Sequence, residues 1–235
     1  MTARSRPSRR LAMALAMALL AVAAGAAAHS HRHHARDASA QGPASAGTFD
    51  YYLLSMSWSP TYCLTHPENQ AECGGRGYGL ILHGLWPQYE AGGYPEGCAT
   101  DAVLDAEARR VGATLYPSES LLRHEWERHG SCSGLSALDY VRTADRASAL
   151  LKIPEELEAP HQDQSMDTRE LLQLLRVANP GLPDGAVRVA CTRDHLSEIR
   201  VCLTRDLRFR DCGRGVSGHC PGDHLKIPAT RPATR

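Results

Sequence analysis

Eight cysteines, spread from residue 63 to residue 220 of a 235-residue chain, constrain its fold more than any other feature. They are Cys63, Cys73, Cys98, Cys132, Cys191, Cys202, Cys212 and Cys220. None are spaced as Cys-x-x-Cys, so zinc ribbons and thioredoxin-like redox motifs have no support. In an exported chain such a set favours disulfides over metal ligands. Spacing alone leaves the connectivity open, although Cys63–Cys73 and Cys202–Cys212 are plausible pairs because they are close in sequence.

The N-terminus has the pattern of a secretory signal peptide. Residues 1–10 carry four arginines and no acidic residue, and residues 11–28 are an unbroken run of Ala, Leu, Met, Val and Gly that ends in small residues. An uncleaved membrane anchor is the alternative, since such a run could just span a bilayer. Its alanines make it only weakly hydrophobic, so we predict a signal peptide over 1–28. The mature protein is then periplasmic or secreted, with no membrane attachment.

The next segment is rich in histidine, which can bind metal ions. It continues with small and polar residues that could not pack, so we interpret residues 29–47 as a flexible linker. Residues 48–235 form the folded domain, with an irregular C-terminal tail from about 224. Without the four signal-peptide arginines, 22 basic residues face 26 acidic ones. This mildly acidic balance argues against a general nucleic-acid binder that depends on charge.

The hydrophobic pattern predicts strands at both ends of this domain and helices between them. We expect strands over 49–58, 80–83, 187–191 and 196–203, with residues 206–212 completing a hairpin or meander. Gly84 and Pro87 end the second strand, and residues 59–79 form a loop. Helices are predicted over 105–111, 118–130, 136–151 and 166–178, with Ser118 as an N-cap and Gly130 as a stop. The fold class is therefore α+β: one domain with a central, largely antiparallel sheet flanked by several helices.

Residues 124–132 (HEWERHGSC) hold the densest group of reactive side chains. On a helix, His124 and Arg128 lie four residues apart, as do Glu125 and His129, so we expect them to converge on one anion. Glu125 is expected to raise the pKa of His129. A zinc protease would need His-Glu-x-x-His. Here the histidines are five apart, about 140° around the helix, so no metal site is predicted.

His83 lies at the end of a predicted strand, beside Trp86. A lone histidine there would be structural more often than catalytic, but the group at 124–129 supplies partners for it. Two histidines as general acid and base, with further cationic donors for phosphate, suit attack of a ribose 2′-OH on its own phosphodiester. The nucleophile is already positioned in the substrate, so neither a metal nor another cofactor is required.

These segments resemble the active-site motifs of the ribonuclease T2 family. The similarity is carried by residues 83–87 (HGLWP) and 124–132, with residues 57–63 (SWSPTYC) resembling the family's N-terminal segment. It extends from about Phe49 to Cys220. The resemblance implies an α+β fold and an endonuclease that cleaves single-stranded RNA through a 2′,3′-cyclic phosphate, with low base specificity and often an acidic optimum.

The resemblance also implies roles for individual residues. His129 would be the general base, His83 the general acid and His124 a phosphate ligand, while Glu125 and Arg128 stabilise the transition state. Trp86, Gln88 and Tyr94 would line a base pocket, although Tyr94 could be an ordinary loop tyrosine. Arg128 replaces the usual lysine, Ser131 the common threonine and Gln88 an acidic residue of some relatives.

The family further suggests a Cys98–Cys132 disulfide and a Cys191–Cys220 disulfide enclosing Cys202–Cys212. We therefore expect an exported, metal-independent endoribonuclease that acts as a monomer without an obligate protein partner. Two alternatives remain at this point. One is an exported metallohydrolase, and the other is a non-catalytic RNA-binding module, which the intact set of acid and base residues disfavours.

Overall fold

A computed structural model describes residues 45–99 and 103–230, which build a six-stranded sheet and seven α-helices. The predicted signal peptide and most of the predicted linker lie outside these residues. The strands are β1 (Tyr51–Trp58), β2 (Leu80–Gln88), β3 (Gln164–Asp167), β4 (Val187–Thr192), β5 (His195–Leu203) and β6 (His224–Ile227). The helices are α1 (Ser59–Thr65), α2 (Gln70–Cys73), α3 (Ala106–Gly112), α4 (Glu119–Arg128), α5 (Ala137–Leu150), α6 (Glu155–Glu158) and α7 (Thr168–Ala178).

The sheet has the order β2-β1-β5-β6-β3, and β4 pairs with β5. Every ladder is antiparallel except the short parallel contact between β5 and β6. The predicted α+β class with a largely antiparallel sheet is therefore confirmed. In the described residues, no helix is both long and apolar enough to cross a membrane.

The alternation of β1 defines two different faces of the sheet. Tyr52, Leu54, Met56 and Trp58 belong to the main core, which also contains the buried side chains of α5. The alternate residues of β1 point the other way, because successive strand residues face opposite sides. They include Tyr51 and Leu53, which form a small second apolar cluster, and then Ser55 and Ser57. The helices thus cover one face of the sheet, and the other face is left for polar residues.

Helix starts follow the sequence closely, since side-chain oxygens at three N-caps accept the expected backbone hydrogen bonds. Asp105, Ser118 and Ser136 cap α3, α4 and α5 in this way. Gly130 has a different function from the one predicted. Helix α4 ends at Arg128, and Gly130 begins a 3₁₀ turn in which an added Cβ would lie 2.6 Å from ring carbons of Trp126 and Tyr140. Close packing therefore requires this glycine.

Among the other local predictions, three are wrong and one helix begins later than expected. The segment predicted as a loop contains α1 and α2, because Pro60 is favourable in the first turn of a helix. The helix predicted over 166–178 is present as α7 but begins two residues later, at Thr168, because Met166 and Asp167 belong to β3. Residues 206–212 contribute only one isolated bridge, between Leu203 and Phe209. The chain from about 224 is not an irregular tail, since β6 pairs with β3 and buries Leu225 and Ile227.

Four disulfides join all eight cysteines: Cys63–Cys73, Cys98–Cys132, Cys191–Cys220 and Cys202–Cys212. Three of these pairs are the ones that the family resemblance implies, and Cys63–Cys73 is the pair expected from closeness in sequence. Cys98–Cys132 connects the loop after β2 to the turn after α4. The same region is held by a hydrogen bond from the Gly97 amide to the Arg128 carbonyl (2.9 Å). The two motif-bearing elements are thereby tied together outside the sheet.

We expect replacement of Cys98 and Cys132 by alanine to lower the free energy of unfolding by about 3–4 kcal/mol in the chain-entropy model. The reason is that this disulfide closes a loop with a sequence separation of 34 residues. The matched control replaces Cys63 and Cys73, which are separated by 10 residues and should cost about 1 kcal/mol less. Urea unfolding measures both, and a larger loss in the control pair would contradict the prediction.

Candidate active site

His83 is the extra residue of a β-bulge in β2. Ser55 of β1 pairs with Gly84, whereas the next residue, Met56, pairs with Leu82, so His83 has no partner in the ladder. Bulges redirect side chains and are common beside active sites. The predicted end of the strand at Gly84 and Pro87 is therefore wrong. Gly84 lies at the bulge, and Pro87 is tolerated because β2 is at the edge of the sheet.

Gly84 also gives the site its closest contact between β2 and α4. The Trp86 indole Nε1 donates a hydrogen bond to Oε2 of the buried Glu125 carboxyl group (2.6 Å) directly over this glycine. A Cβ atom at position 84 would overlap both the carboxyl oxygen and the indole nitrogen. The glycine between the histidine and the tryptophan is thus a requirement for bringing the two motifs together.

Glu125 and His129 do not share a helix lane as expected, because His129 lies beyond the last residue of α4. Its backbone has φ −121° and ψ −51°, which makes it the C-cap. Its ring lies 6.4 Å from that of His124 and 5.2 Å from the Trp86 ring, centroid to centroid. Seven of the eight predicted catalytic and substrate-binding residues line one cavity of about 440 Å³. They are His83, Trp86, Gln88, Tyr94, His124, Glu125 and His129.

Arg128 is the exception. Its Nη2 donates to Glu96 Oε2 (2.7 Å), both side chains are about half exposed, and it does not line the cavity. The expected convergence of four side chains on one anion is therefore wrong for this residue. Its charge still reaches His129, whose pKa it helps to lower.

The pKa of His129 is lowered to about 4, which is opposite to the predicted direction. Burial is the largest cause, followed by the positive charges of His124, His83 and Arg128. Nδ1 of this ring is buried and has no hydrogen-bond partner among the described residues. Glu125, expected to raise this pKa, is instead bonded to Trp86 and lies 3.7 Å from His83 Nε2. The neutral imidazole is the form that the site favours.

Burial raises the pKa of Glu125 to about 7, although the charge of His83 and the Trp86 hydrogen bond act against the rise. Its second oxygen, Oε1, is buried without a hydrogen-bond partner in the part of the chain that the structure describes. A carboxyl group in this state is protonated below neutral pH. It can then donate a hydrogen bond into the cavity rather than repel a phosphate.

The pKa of His83 is raised. Burial alone would lower it, but a hydrogen bond to Glu198 and the negative charges of Glu125 and Glu198 outweigh burial. The His83 Nδ1 atom lies 2.7 Å from Glu198 Oε1. Sequence reasoning missed Glu198 and its neighbour Arg200, which also lines the cavity. The clean alternation of residues 196–203 contained the signal, because it places both polar side chains on one face of a strand.

A second cavity, of about 270 Å³, lies next to the first, and His83 is the one residue that lines both. Its lining is mostly polar and comes from β1, the α1–α2 region, β2 and the start of α4. The lining residues are Ser57, Tyr62, Asn69, Glu72, Ile81, His83, Ser118, Ser120 and Leu121. His83 therefore separates two spaces, each large enough for part of a nucleotide-sized ligand.

The structure also overturns the angular argument against a metal site. His124, Glu125 and His129 each offer a possible ligand atom, and these atoms lie within 4.8 Å of one another. The five-residue spacing fails to separate the two histidines because His129 is outside the helix. Glu125 is nevertheless a poor metal ligand, since one of its oxygens is already bonded to Trp86 and the pKa of this carboxyl group is raised.

Comparison with known proteins gives consistent matches to one group. Residues 49–212 match the model of the ribonuclease T2 family. A ribonuclease of Aeromonas hydrophila is 37% identical over 179 residues, covering 72% of this chain and 78% of that protein. Ribonuclease 3 of Arabidopsis thaliana is 33% identical over 200 residues, covering 74% and 88%.

Solved structures show the same fold at lower identity. An RNase-related protein from Calystegia sepium superposes with a TM-score of 0.64 and 21% identity, covering 78% of this chain and 98% of that one. RNase NT, solved with 5′-AMP, superposes with a TM-score of 0.60 and 21% identity, covering 77% and 98%. Together with the two motifs that meet over Gly84, these matches establish that the chain belongs to the ribonuclease T2 family.

Proposed function

We propose that this protein is an endoribonuclease that cleaves single-stranded RNA by transphosphorylation, without a metal ion. The observation that carries the proposal is that His83 and His129 face one cavity with their pKa values shifted in opposite directions. Environments that separate two pKa values in this way identify a general acid and a general base. The family assignment supports RNA as the substrate class.

In the first step, neutral His129 takes the proton of the ribose 2′-OH, and the 2′-oxygen attacks the adjacent phosphorus. The bond from phosphorus to the 5′-oxygen breaks, and His83 supplies the proton that this oxygen requires. The products are a 2′,3′-cyclic phosphate and a free 5′-hydroxyl group. Because His83 lies between the two cavities, the leaving nucleoside occupies the smaller cavity and the attacked nucleotide the larger one.

His124 is the phosphate ligand in this scheme, since it is exposed on α4 beside His129. Protonated Glu125 donates to a phosphoryl oxygen through Oε1. Arg128 contributes at longer range, from its ion pair with Glu96. A base stacks against the aromatic rings of Trp86 and Tyr94, and such stacking tolerates any base. The Gln88 amide donates to the Pro87 carbonyl (3.0 Å), which makes it a fixed wall of the pocket.

The wider organisation of the protein is part of the same proposal. Residues 1–28 act as a signal peptide, 29–47 as a linker, and the enzyme works in the periplasm or outside the cell. Four disulfides in the described domain suit an oxidising compartment. The proposal also includes action as a monomer without an obligate protein partner.

Replacing His83 or His129 by alanine should each reduce cleavage about 10²–10⁴-fold, the usual contribution of a general acid or base. The far-UV spectrum should not change. His161→Ala is the matched control, since this histidine is exposed and lines neither cavity. EDTA should leave the wild-type rate unaltered, and the RNA fragments should end in cyclic phosphate. Loss of activity in EDTA with recovery in zinc would establish the metallohydrolase instead.

The pH dependence of kcat/KM follows from the two histidines. Activity should rise through about pH 4 as His129 becomes neutral, because its pKa is lowered to about 4. It should fall only above the ordinary pKa of histidine, since the pKa of His83 is raised and this residue must be protonated. Loss of the Glu125 proton near pH 7 adds to the same decline. A rising limb centred above pH 6 would contradict the assignment of His129.

Gly84→Ala should inactivate the enzyme while leaving most of its stability. An added methyl group would separate the Trp86 indole from the Glu125 carboxyl group, and a buried polar group without a partner costs about 1–3 kcal/mol. Activity assays and thermal unfolding measure the two effects. Gly79→Ala is the control, because this glycine lies just before the same strand, lines neither cavity, and an added carbon there would make only ordinary contacts of 3.4–3.6 Å. Equal activity in the two variants would refute the role given to Gly84.

A further inference from the structure

We infer that Glu198, held in place by Arg200, is a positioning residue that orients His83 for proton donation. The inference rests on the proposed function, because it explains how one side chain of that mechanism is prepared. Neither residue belongs to the two motifs, and they lie on a strand 115 residues further along the chain.

Sheet order makes the contact possible. Strand β1 lies between β2 and β5, so a side chain on β2 must cross β1 to reach β5. The residues of β1 at this point are small: Ser57 pairs with Glu198, and Ser55 pairs with Arg200. Paired residues share one face of an antiparallel sheet. The bulge turns His83 toward the space above these serines, where Glu198 meets its Nδ1.

Glu198 is itself held firmly. One carboxyl oxygen, Oε1, bonds His83, while the other, Oε2, accepts a hydrogen bond from Arg200 Nε (2.7 Å) and forms an ion pair with Nη2 (2.5 Å). Arg200 Nη1 in turn donates to the Ser217 carbonyl (3.3 Å), which anchors the guanidinium to the C-terminal loop. The Glu198 side chain is 13% exposed. A carboxylate fixed at both oxygens defines one direction for the imidazole ring.

This arrangement assigns the two ring nitrogens different functions. Nδ1–H donates to Glu198, so Nε2 is the nitrogen that exchanges its proton with the leaving oxygen. A carboxylate on one ring nitrogen fixes both the tautomer and the orientation of a histidine. Nε2 lies on the Glu125 side, 3.7 Å from its Oε1. Without Glu198, the ring could rotate, and the neutral imidazole could carry its hydrogen on Nε2 instead of Nδ1.

The charges around His83 come from three elements. Glu198 and Arg200 face it from β5, Glu125 from α4, His129 from the end of α4, and Glu72 from α2. The pKa values of Glu125 and Glu72 are raised by burial. Burial would also raise the pKa of Glu198, but the bonds to His83 and Arg200 lower it overall. Glu198 is therefore the carboxylate that remains ionised while His83 is protonated.

If the Glu198–Arg200 ion pair were purely structural, its loss would destabilise the sheet but would not depend on the leaving group of the substrate. The test therefore compares substrates with different leaving groups. Uridylyl-3′,5′-adenosine has a poor leaving group that needs a proton. Uridine 3′-(4-nitrophenyl phosphate) has a good leaving group that departs without one. Glu198→Gln keeps the shape but removes the charge, and should lower kcat about 10–100-fold on the first substrate. The KM for the first substrate and the kcat on the second substrate should be nearly unchanged. The basic limb of the pH profile should move to lower pH.

Glu107→Gln is the matched control, because Glu107 is also paired with an arginine but lines neither cavity. His83→Ala separates the two levels of the proposal. If it loses activity equally on both substrates, the general-acid role fails. If His83→Ala loses activity mainly on the substrate with the poor leaving group, but Glu198→Gln shows no such difference between the substrates, the proposed function stands and the role of Glu198 is overturned.

A measurement on the wild-type protein covers the case in which Glu198→Gln does not fold. Nitrogen-15 chemical shifts of His83, assigned by comparison with His83→Ala, report which ring nitrogen carries the proton above the histidine pKa. Nδ1–H is the tautomer expected from the bond to Glu198. Observation of Nε2–H would overturn the inference.

Discussion

The hydrogen bond between the Trp86 indole and the buried Glu125 carboxyl group joins strand β2 to helix α4, and the active site depends on this contact. It requires a glycine at position 84, because a side chain there would fill the same space. Hydrogen bonds to buried carboxyl groups contribute about 1.5–3 kcal/mol when charged, and their loss is more costly than their gain. The positions of His83, on β2, and His129, at the end of α4, relative to each other follow from this contact between the two elements.

Burial then has opposite consequences for the two kinds of ionisable group. It lowers the pKa of His129, together with the positive charges of His124, His83 and Arg128, and it raises the pKa of Glu125. His83 is also buried, but two carboxyl groups compensate and the net shift of its pKa is upward. Burial in one site thus prepares a base that is neutral, an acid that is protonated and a carboxyl group that can donate. No residue needs an unusual chemistry for this, only different neighbours.

The scaffold keeps these neighbours in place through covalent links and small apolar clusters. The face of the sheet opposite the main core is covered only in part, by Tyr51, Leu53 and Cys202 packing with Trp86, Cys212 and Val216. Cys202–Cys212 lies within this cluster, and Cys98–Cys132 lies beside the end of α4. Disulfides suit a site of this kind, since a polar cavity removes apolar burial that would otherwise stabilise the domain.

Much of this protein was determined by its sequence alone. Alternation in β1 and β5, the positions of α3, α4 and α5, the Ser118 cap and the two motifs all depend on residues close together in the chain, so periodicity and spacing predict them. The features that depend on contacts between distant segments were decided by the tertiary structure. The bulge directs His83, the C-cap moves His129 out of its predicted lane, and Arg128 pairs with Glu96. Glu198 reaches His83 only because sheet order places β5 two strands from β2 with serines between them, which no local pattern encodes.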